Sequence, residues 1–371
     1  MMNTLAWRRT WFQVHKWIGL ILAILIVPLC LSGAALVWDE PLDRIANPAR
    51  YAVTGDTLLT PSAYVAAAAR VLKPGDRIAQ LTLPDGQGPV VVAAAPAGVG
   101  AARGGPPPRM MVYLDPPTAK VLEVAPRNAG LVRFLHVLHG SLQLPGVGRQ
   151  VVGWIGVAMM VSSFTGLWLW WPTVGKWVRG LRWRRHRNTD TNLHYLFGFW
   201  VALPLFVLSL TGAWISFPAF FGALSGEARR SGGPDPRAAA RAAPVAHAAL
   251  TPEAAVADAA GTLRGALVSI AWPTEKTADW TLGYAGGASV KVADDSGVAV
   301  AVPARASGGI ARLMRRLHDG TGMGGVWQTI IFLGGLLPAA LAVTGVIMWW
   351  RARGWKAELA AKQRAKRAAR G

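Results

Sequence analysis

Four apolar stretches constrain this chain more than any other feature of its sequence. They cover residues 17–38, 151–172, 193–217 and 326–350 and are almost free of charged residues. As a helix rising about 1.5 Å per residue, each is long enough to cross a hydrocarbon core of roughly 30 Å. Trp and Tyr gather near their ends, as in the interfacial belts of membrane proteins. The sequence therefore predicts an α-helical membrane protein with a four-transmembrane-helix bundle.

The first apolar stretch has a second interpretation, as a cleaved signal peptide. Arg8 and Arg9 precede it, and the small residues 32–35 lie near its end. The apolar run is, however, longer than the hydrophobic region of a signal peptide, and a later stretch of the chain repeats it. We therefore expect a retained transmembrane helix.

The net charge of +20 is unevenly distributed along the chain. The segments 1–16, 173–192 and 351–371 hold 17 Lys and Arg and two acidic residues, whereas the rest of the chain holds 22 and 17. Lys and Arg close to membrane helices favour the cytoplasmic side. Both termini and the central loop are thus predicted to be cytoplasmic in a bacterial inner membrane, so the charge implies contact with membrane lipid and no nucleic acid.

These signals predict the following order of segments. It runs as cytoplasmic N-terminus 1–16, helix 17–38, periplasmic domain 39–148, helix 149–172, basic cytoplasmic loop 173–191, helix 192–217, periplasmic domain 218–324, helix 325–350 and basic cytoplasmic tail 351–371.

An internal duplication is visible when the sequence is shifted by 179 residues. His15 then falls on His194, and Leu138-His139 on Leu317-His318. Ser32-Gly33 and Thr165-Gly166 likewise fall on Thr211-Gly212 and Thr344-Gly345. One unbroken offset relates helix 1 to helix 3 and helix 2 to helix 4. Each half is thus predicted to contain two helices and a small α+β periplasmic domain.

The exported segments carry matching local signals. Pro61 and Pro252 each open an Ala-rich run and suit the first turn of a helix. Strands are predicted at 78–83 and 266–271, followed by hairpins at 111–124 and 288–302.

Four of the seven histidines form two repeat-related pairs, and these are the candidate ligands. His15 and His194 lie near the starts of helices 1 and 3, whereas His139 and His318 shortly precede helices 2 and 4. A two-fold axis would bring each pair face to face, which is the arrangement of bis-histidine haem ligation. The single cysteine, Cys30, excludes a covalently attached c-type haem and an iron–sulfur cluster. The sequence thus predicts two b-type haems.

Smaller features near the pairs have two interpretations. Gly19 and Gly198 follow a histidine by four residues, on the same helix face, and would leave room for a flat macrocycle. The Ser/Thr-Gly dipeptides either do the same or are ordinary small-residue helix packing. His136 competes with His139 as a ligand, but its repeat position is Arg315. We therefore expect His136 and Arg315 to line the edge of the haem.

Several motifs together resemble the PepSY-associated transmembrane helix family over nearly the whole chain. They are Trp-x-x-x-His-Lys-Trp-x-Gly at 11–19, the Asp-Pro hairpin at 115–122, Leu-His-Gly at 138–140 and Thr-Gly-x-x-x-Trp-Trp at 165–171. Within that family the chain is similar to di-haem ferric-siderophore reductases of the inner membrane. By position, the resemblance implies His15, His194, His139 and His318 as ligands of the haem iron and PepSY-like folds for the periplasmic domains. One departure is Asp319, which stands where the first half has Gly140.

The function that follows is that of a haem-dependent oxidoreductase without catalytic acid or base residues. Electrons from a cytoplasmic or quinol donor would cross the membrane through two haem b groups to a periplasmic ferric siderophore, releasing Fe(II) for iron uptake. Two alternatives remain at this point. One is a haem conduit for another periplasmic oxidoreductase. The other is a haem-free scaffold whose PepSY-like domains bind or inhibit periplasmic proteins.

Overall fold

The computed structural model describes residues 4–97, 108–171, 176–182, 186–226, 242–302 and 309–368. The chain divides into two compact units. The helical unit comprises Met1–Asp39, Phe134–Ala228 and Ile310–Gly371, and the sheet unit comprises Glu40–Arg133 and Arg229–Gly309.

The described helices have the following bounds. They are α1 (Thr4–Leu36), α2 (Asp39–Ala46), α3 (Pro61–Ala69), α4 (Leu131–Ser141), α5 (Gly148–Trp170), α6 (Thr189–Ser216), α7 (Pro218–Leu224), α8 (Pro252–Asp258), α9 (Ile310–Asp319) and α10 (Gly324–Ala368), with 3-10 turns at Pro48–Tyr51 and Trp177–Leu181.

Four of these helices are long and apolar enough to cross a membrane, as the sequence predicts. The qualifying segments are Ala6–Leu36, Gly148–Trp170, Thr189–Ser216 and Gly324–Trp355. Two of these helices extend well beyond their predicted bounds. Helix α1 begins at Thr4, so His15 lies well inside it, and α10 continues to Ala368 through most of the predicted tail. Apolarity marks the part of a helix suited to hydrocarbon, whereas the hydrogen-bonded helix extends into polar residues at either end.

The four long helices pack as a bundle whose outer surface is apolar. Helices α1 and α6 each pack against both α5 and α10. The interior holds Ile26, Met159 and the unpaired Cys30, which is a buried packing residue. Large apolar side chains point outward, among them Ile24, which is 83% exposed, and Leu203, which is 72% exposed. A helical surface of this kind is suited to lipid rather than water, and the chain is a multi-pass membrane protein.

The sheet unit is built on one antiparallel sheet of eight strands in the order β4-β3-β2-β1-β5-β6-β7-β8. The strands are β1 (Arg77–Thr82), β2 (Val90–Ala95), β3 (Met110–Leu114), β4 (Val121–Pro126), β5 (Leu267–Ala271), β6 (Asp279–Tyr284), β7 (Ser289–Ala293) and β8 (Ala299–Val302).

The prediction of two separate periplasmic domains differs from this arrangement. Strand β1 pairs with β5, with Leu81 opposite Ile270, so one sheet joins strands from both halves of the chain. The pairing of β1 with β5 satisfies the backbone hydrogen-bonding groups of one edge strand from each half. Helices α4 and α9, predicted to lie in those domains, belong mainly to the helical unit.

Helices α3 and α8 contribute to the core of the sheet unit. Both begin at the predicted prolines, Pro61 and Pro252. Tyr64 of α3 and Trp280 of β6 are completely buried in one apolar cluster with inward side chains of the strands. Burying such aromatic side chains is a large source of stability for a small domain.

A hydrogen-bonded carboxylate holds a turn in each half of the sheet unit, and that of Asp115 is buried. Asp115 accepts hydrogen bonds from Thr54 N (2.7 Å), Thr54 Oγ1 (2.7 Å) and Thr118 Oγ1 (2.5 Å). Asp294, 179 residues later, accepts from Ala249 N, Leu250 N and Trp280 Nε1. Burial alone would raise the pKa of Asp115, but the hydrogen bonds outweigh it and hold the pKa below the ordinary 3.8.

This carboxylate makes the sheet unit acid-sensitive. Because the pKa of Asp115 is lower in the folded state, its stabilising effect is present above pH 3.8 and is lost as the pH falls through the lower, folded value. We expect Asp115→Asn to reduce the free energy of local unfolding at neutral pH by about 2 kcal/mol and to flatten its dependence on acid. Hydrogen exchange of the β3 amides in the full chain measures both effects. The exposed Asp85→Asn is the control; an equal loss in both variants contradicts the assignment.

Candidate functional site

The first histidine pair, His15 and His194, joins the two helices that begin each half. His15 lies on α1 and His194 on α6, and their ring centroids are 6.4 Å apart. The two ring planes are nearly perpendicular, at 88°. Both side chains are half-buried. The structure thus brings together two residues that are 179 positions apart in the chain.

The second histidine pair, His139 and His318, lies on the short helices α4 and α9. Their ring centroids are 5.9 Å apart and their planes meet at 36°. His136, one turn earlier on α4, is exposed, as is Arg315 on α9. It is therefore His139, and not His136, that faces His318.

Hydrogen bonds fix which ring nitrogen of each histidine carries the proton. His139 Nδ1 lies 2.8 Å from the backbone oxygen of Leu29, and His15 Nδ1 lies 3.1 Å from that of Ser162. His318 Nδ1 lies 3.2 Å from the oxygen of Leu208. A carbonyl oxygen only accepts, so Nδ1–H is the donor in each case.

His194 reaches the same state through a hydroxyl. Its Nδ1 lies 3.0 Å from Thr344 Oγ1, and that hydroxyl lies 2.9 Å from the oxygen of Ala340, to which it donates. The Thr344 oxygen therefore accepts from His194. In all four rings Nε2 keeps its lone pair, which is the nitrogen that a metal requires.

Burial also favours neutral rings in the second histidine pair. Desolvation lowers the pKa of His318 to about 4, with a smaller contribution from His139. Desolvation lowers the pKa of His139 as well, against the opposing hydrogen bond to Leu29. Burial thus favours the uncharged imidazole at both His139 and His318.

Four packing glycines, Gly33, Gly166, Gly212 and Gly345, determine how closely these rings lie against the neighbouring helix. A Cβ added at Gly33 would lie 2.5 Å from Cε1 of His139. The corresponding distances are 3.0 Å from Gly166 to His15, 3.1 Å from Gly212 to His318 and 3.4 Å from Gly345 to His194. The glycine of each Ser/Thr-Gly dipeptide therefore lies against a histidine ring of a neighbouring helix.

Two open glycines, Gly19 and Gly198, have a different environment. A Cβ added at either would meet no atom within 4 Å. Both line a cavity of about 460 Å³ that also contains His15 and His194. The prediction that these glycines leave space beside the first histidine pair agrees with this geometry.

The spacing of the histidine pairs is suited to one metal ion between two imidazoles. With metal–nitrogen bonds of about 2.0 Å and a ring nitrogen roughly 1.1 Å from its centroid, ligands on opposite faces of an iron have centroids roughly 6.2 Å apart. Both pairs lie within roughly 0.3 Å of that value. Among the described residues no group of three or more His, Cys, Asp or Glu is placed to hold a metal ion. A planar macrocycle that itself supplies the remaining ligands fits such two-histidine sites.

Some residues around the first histidine pair were missed by sequence reasoning. Tyr195 and Lys16 both line the cavity, and they are equivalent under the 179-residue offset. The ring of His186 lies 4.6 Å from that of Tyr195. Arg353 also lines the cavity, although the prediction placed it in the tail. The 179-residue offset could have identified Lys16 and Tyr195 as an equivalent pair. Arg353 could not be placed beside the cavity without knowing that α10 continues past residue 350.

Comparison with known protein families assigns the chain to a family over most of its length. A family model described as the PepSY-associated TM region matches residues 12–352. The matched range includes all four histidines of the two pairs. A comparison with curated proteins finds no match.

Proposed function

We propose that this chain, which belongs to the PepSY-associated TM family, carries electrons across a membrane through two haem b groups and reduces a ferric siderophore. The observation that carries the proposal is the pair of two-imidazole sites, with centroids 6.4 and 5.9 Å apart. His15 and His194 would hold one haem iron, and His139 and His318 the other. Bound in this way, haem supplies reversible one-electron chemistry.

The protein's own groups support that chemistry in three ways. The Nδ1 hydrogen bonds fix each ring and raise the basicity of Nε2 toward the metal. The packing glycines let the rings lie against the neighbouring helices. The cavity beside the first histidine pair is lined mostly by apolar side chains, which suit the faces of a macrocycle.

An internal duplication and a defined topology are parts of the same proposal. Equivalent contacts recur at the 179-residue offset: Leu29 accepts from His139 as Leu208 accepts from His318. With both halves inserted in the same direction, their axis runs along the membrane normal. Because Lys and Arg are concentrated in the termini and the central loop, the first histidine pair would lie toward the cytoplasm of a bacterial inner membrane. The second pair and the sheet unit then belong to the periplasmic side.

The acceptor is proposed from the chemistry of iron. Hard oxygen donors hold Fe(III) more tightly than Fe(II), so one electron delivered to a ferric siderophore loosens its grip on the metal. Arg315 and Arg316 are exposed on α9, near His318 in the chain, and offer positive charge to an anionic complex. The electron donor is a cytoplasmic protein or a membrane quinol.

The test is a reduced-minus-oxidised visible spectrum of the detergent-purified chain, with haem quantified per chain. We expect about two low-spin b-type haems. Mixing the anaerobically reduced protein with ferric siderophores should then reoxidise it, with Fe(II) trapped by a chelator. Haem without reoxidation would favour the conduit for another periplasmic oxidoreductase. The absence of haem after expression with adequate haem supply would favour the alternative of a haem-free scaffold.

The packing glycines provide a graded prediction. We expect Gly33→Ala to weaken binding of the haem at the second histidine pair, because the new Cβ would lie 2.5 Å from His139 and displace the ring. Gly345→Ala should have little effect, since its Cβ would lie 3.4 Å from His194, an ordinary contact. Haem retention during transfer to apomyoglobin measures both variants. Equal losses in the two would show that ring contact is not the cause.

A further inference from the structure

We infer that the two histidine pairs form electronically different iron sites, with crossed imidazole planes at the first pair and more nearly parallel planes at the second. The inference rests on the proposed function, because it concerns the orientation of the histidine rings that would bind haem. It starts from the plane angles, 88° for His15 and His194 and 36° for His139 and His318.

The crossed orientation at the first histidine pair is fixed from two sides of the bundle. His15 is held by α5, where its Nδ1 lies 3.1 Å from Ser162 O and 3.2 Å from Thr165 Oγ1. His194 is held by α10, through Thr344 Oγ1 and a backbone hydrogen bond at Leu341. Helices α5 and α10 each pack against both α1 and α6, so the two rings are anchored independently. Each ring edge also lies against a glycine, which limits rotation about its Cβ–Cγ bond.

The second histidine pair is anchored differently. His139 is held by α1 through Leu29 O, and His318 by α6 through Leu208 O and Thr211 Oγ1. The Thr211 hydroxyl and the equivalent Ser32 hydroxyl both donate to backbone carbonyls of their own helices, Ser32 to Pro28 at 2.7 Å and Leu29 at 3.0 Å. The Thr211 hydroxyl also accepts from His318 Nδ1 at 3.0 Å. The anchors of this pair leave the ring planes 36° apart.

The plane angle determines the electronic state of a bis-imidazole ferric haem. When the two imidazole planes are close to parallel, their π orbitals interact with the same iron d orbital, and the d orbitals split to give a rhombic electron paramagnetic resonance (EPR) signal. When the planes are perpendicular, each imidazole interacts with a different orbital of the pair. The splitting then nearly vanishes, and the signal becomes highly anisotropic with a large maximum g value. Thr165 and Thr344 are thus positioning residues for the first site.

Low-temperature EPR of the oxidised, full-length, haem-loaded protein tests the inference. We expect one large-g signal and one rhombic signal of equal spin count. His15→Ala should remove the large-g signal, and His318→Ala should remove the rhombic one. Two rhombic signals, or the opposite assignment, would overturn the inference while leaving the proposed function intact. No haem in the wild-type protein would overturn both.

A conservative variant separates positioning from general stability. Thr344→Val removes the acceptor 3.0 Å from His194 Nδ1, so the maximum g value of the first site should change while the rhombic signal stays. Thr329→Val is the matched control, because its hydroxyl also donates to the carbonyl four residues earlier on α10, at 2.8 Å, and it shows no contact with these rings. Both signals should be unchanged in the control. An unshifted large-g signal in Thr344→Val would contradict the positioning role.

Discussion

The double variant His15→Ala/His194→Ala is expected to bind about one haem per chain instead of about two. Removing both imidazoles of the first histidine pair leaves its cavity without a ligand for the iron. The second pair keeps its two rings and their hydrogen bonds, such as that from His139 to Leu29. The reciprocal variant, His139→Ala/His318→Ala, should lose the other haem and retain the first. Haem quantified per chain by pyridine haemochrome, together with the visible spectrum, measures both.

The matched control for these variants is His136→Ala. His136 lies one turn before His139 on α4 but is exposed, so both haems should remain. Loss of a haem in this control would mean that α4 presents a different histidine from the one that the structure places against His318. Either double variant retaining both haems would contradict the ligand assignment itself.

The membrane helices and the histidine pairs can be predicted from the sequence, because both depend on residue type and spacing. Apolar runs report burial in lipid, and the 179-residue offset places His15 with His194 without any knowledge of packing. The function of the Ser/Thr-Gly dipeptides could not be read in the same way. That Gly166 receives the ring of His15 depends on how α1 lies against α5, which no local pattern encodes.

The sheet unit shows a second limit of the sequence. Strand β2 reads Val-Val-Val-Ala-Ala-Ala, without the alternation that distinguishes a half-exposed strand, and the sequence does not predict it. Strand β6 alternates in burial and is also absent from the predicted strands. The pairing of β1 with β5 joins residues such as Leu81 and Ile270 through backbone hydrogen bonds. Backbone pairing at a sheet edge leaves little trace in side-chain identity. The sequence therefore predicts two domains where the chain forms one sheet.

Substitution of the open glycines is the second change for which we expect a large effect. It tests whether haem needs the space of the cavity, while the histidine ligands stay in place. We expect Gly19→Leu/Gly198→Leu to abolish haem binding at the first histidine pair while the second haem remains. The added side chains project into the cavity of about 460 Å³ that contains His15 and His194, and a Cβ at either position meets no protein atom within 4 Å. The fold is thus not forced to move, and replacing a helical glycine favours the helix by up to about 1 kcal/mol per site.

Loss of one haem from a variant that remains stably folded distinguishes a filled cavity from a misfolded protein. The double glycine variant should purify with unchanged helix content and equal or higher thermal stability when compared with haem-free wild-type protein. It should nevertheless lack the large-g EPR signal assigned to the first histidine pair. Gly325→Leu is the control, since it replaces a glycine of α10 with equally open surroundings that does not line this cavity, and it should retain both haems. If the double glycine variant binds both haems, the cavity is not where the first macrocycle lies. The proposed site would then have to be abandoned even with all four histidines in place.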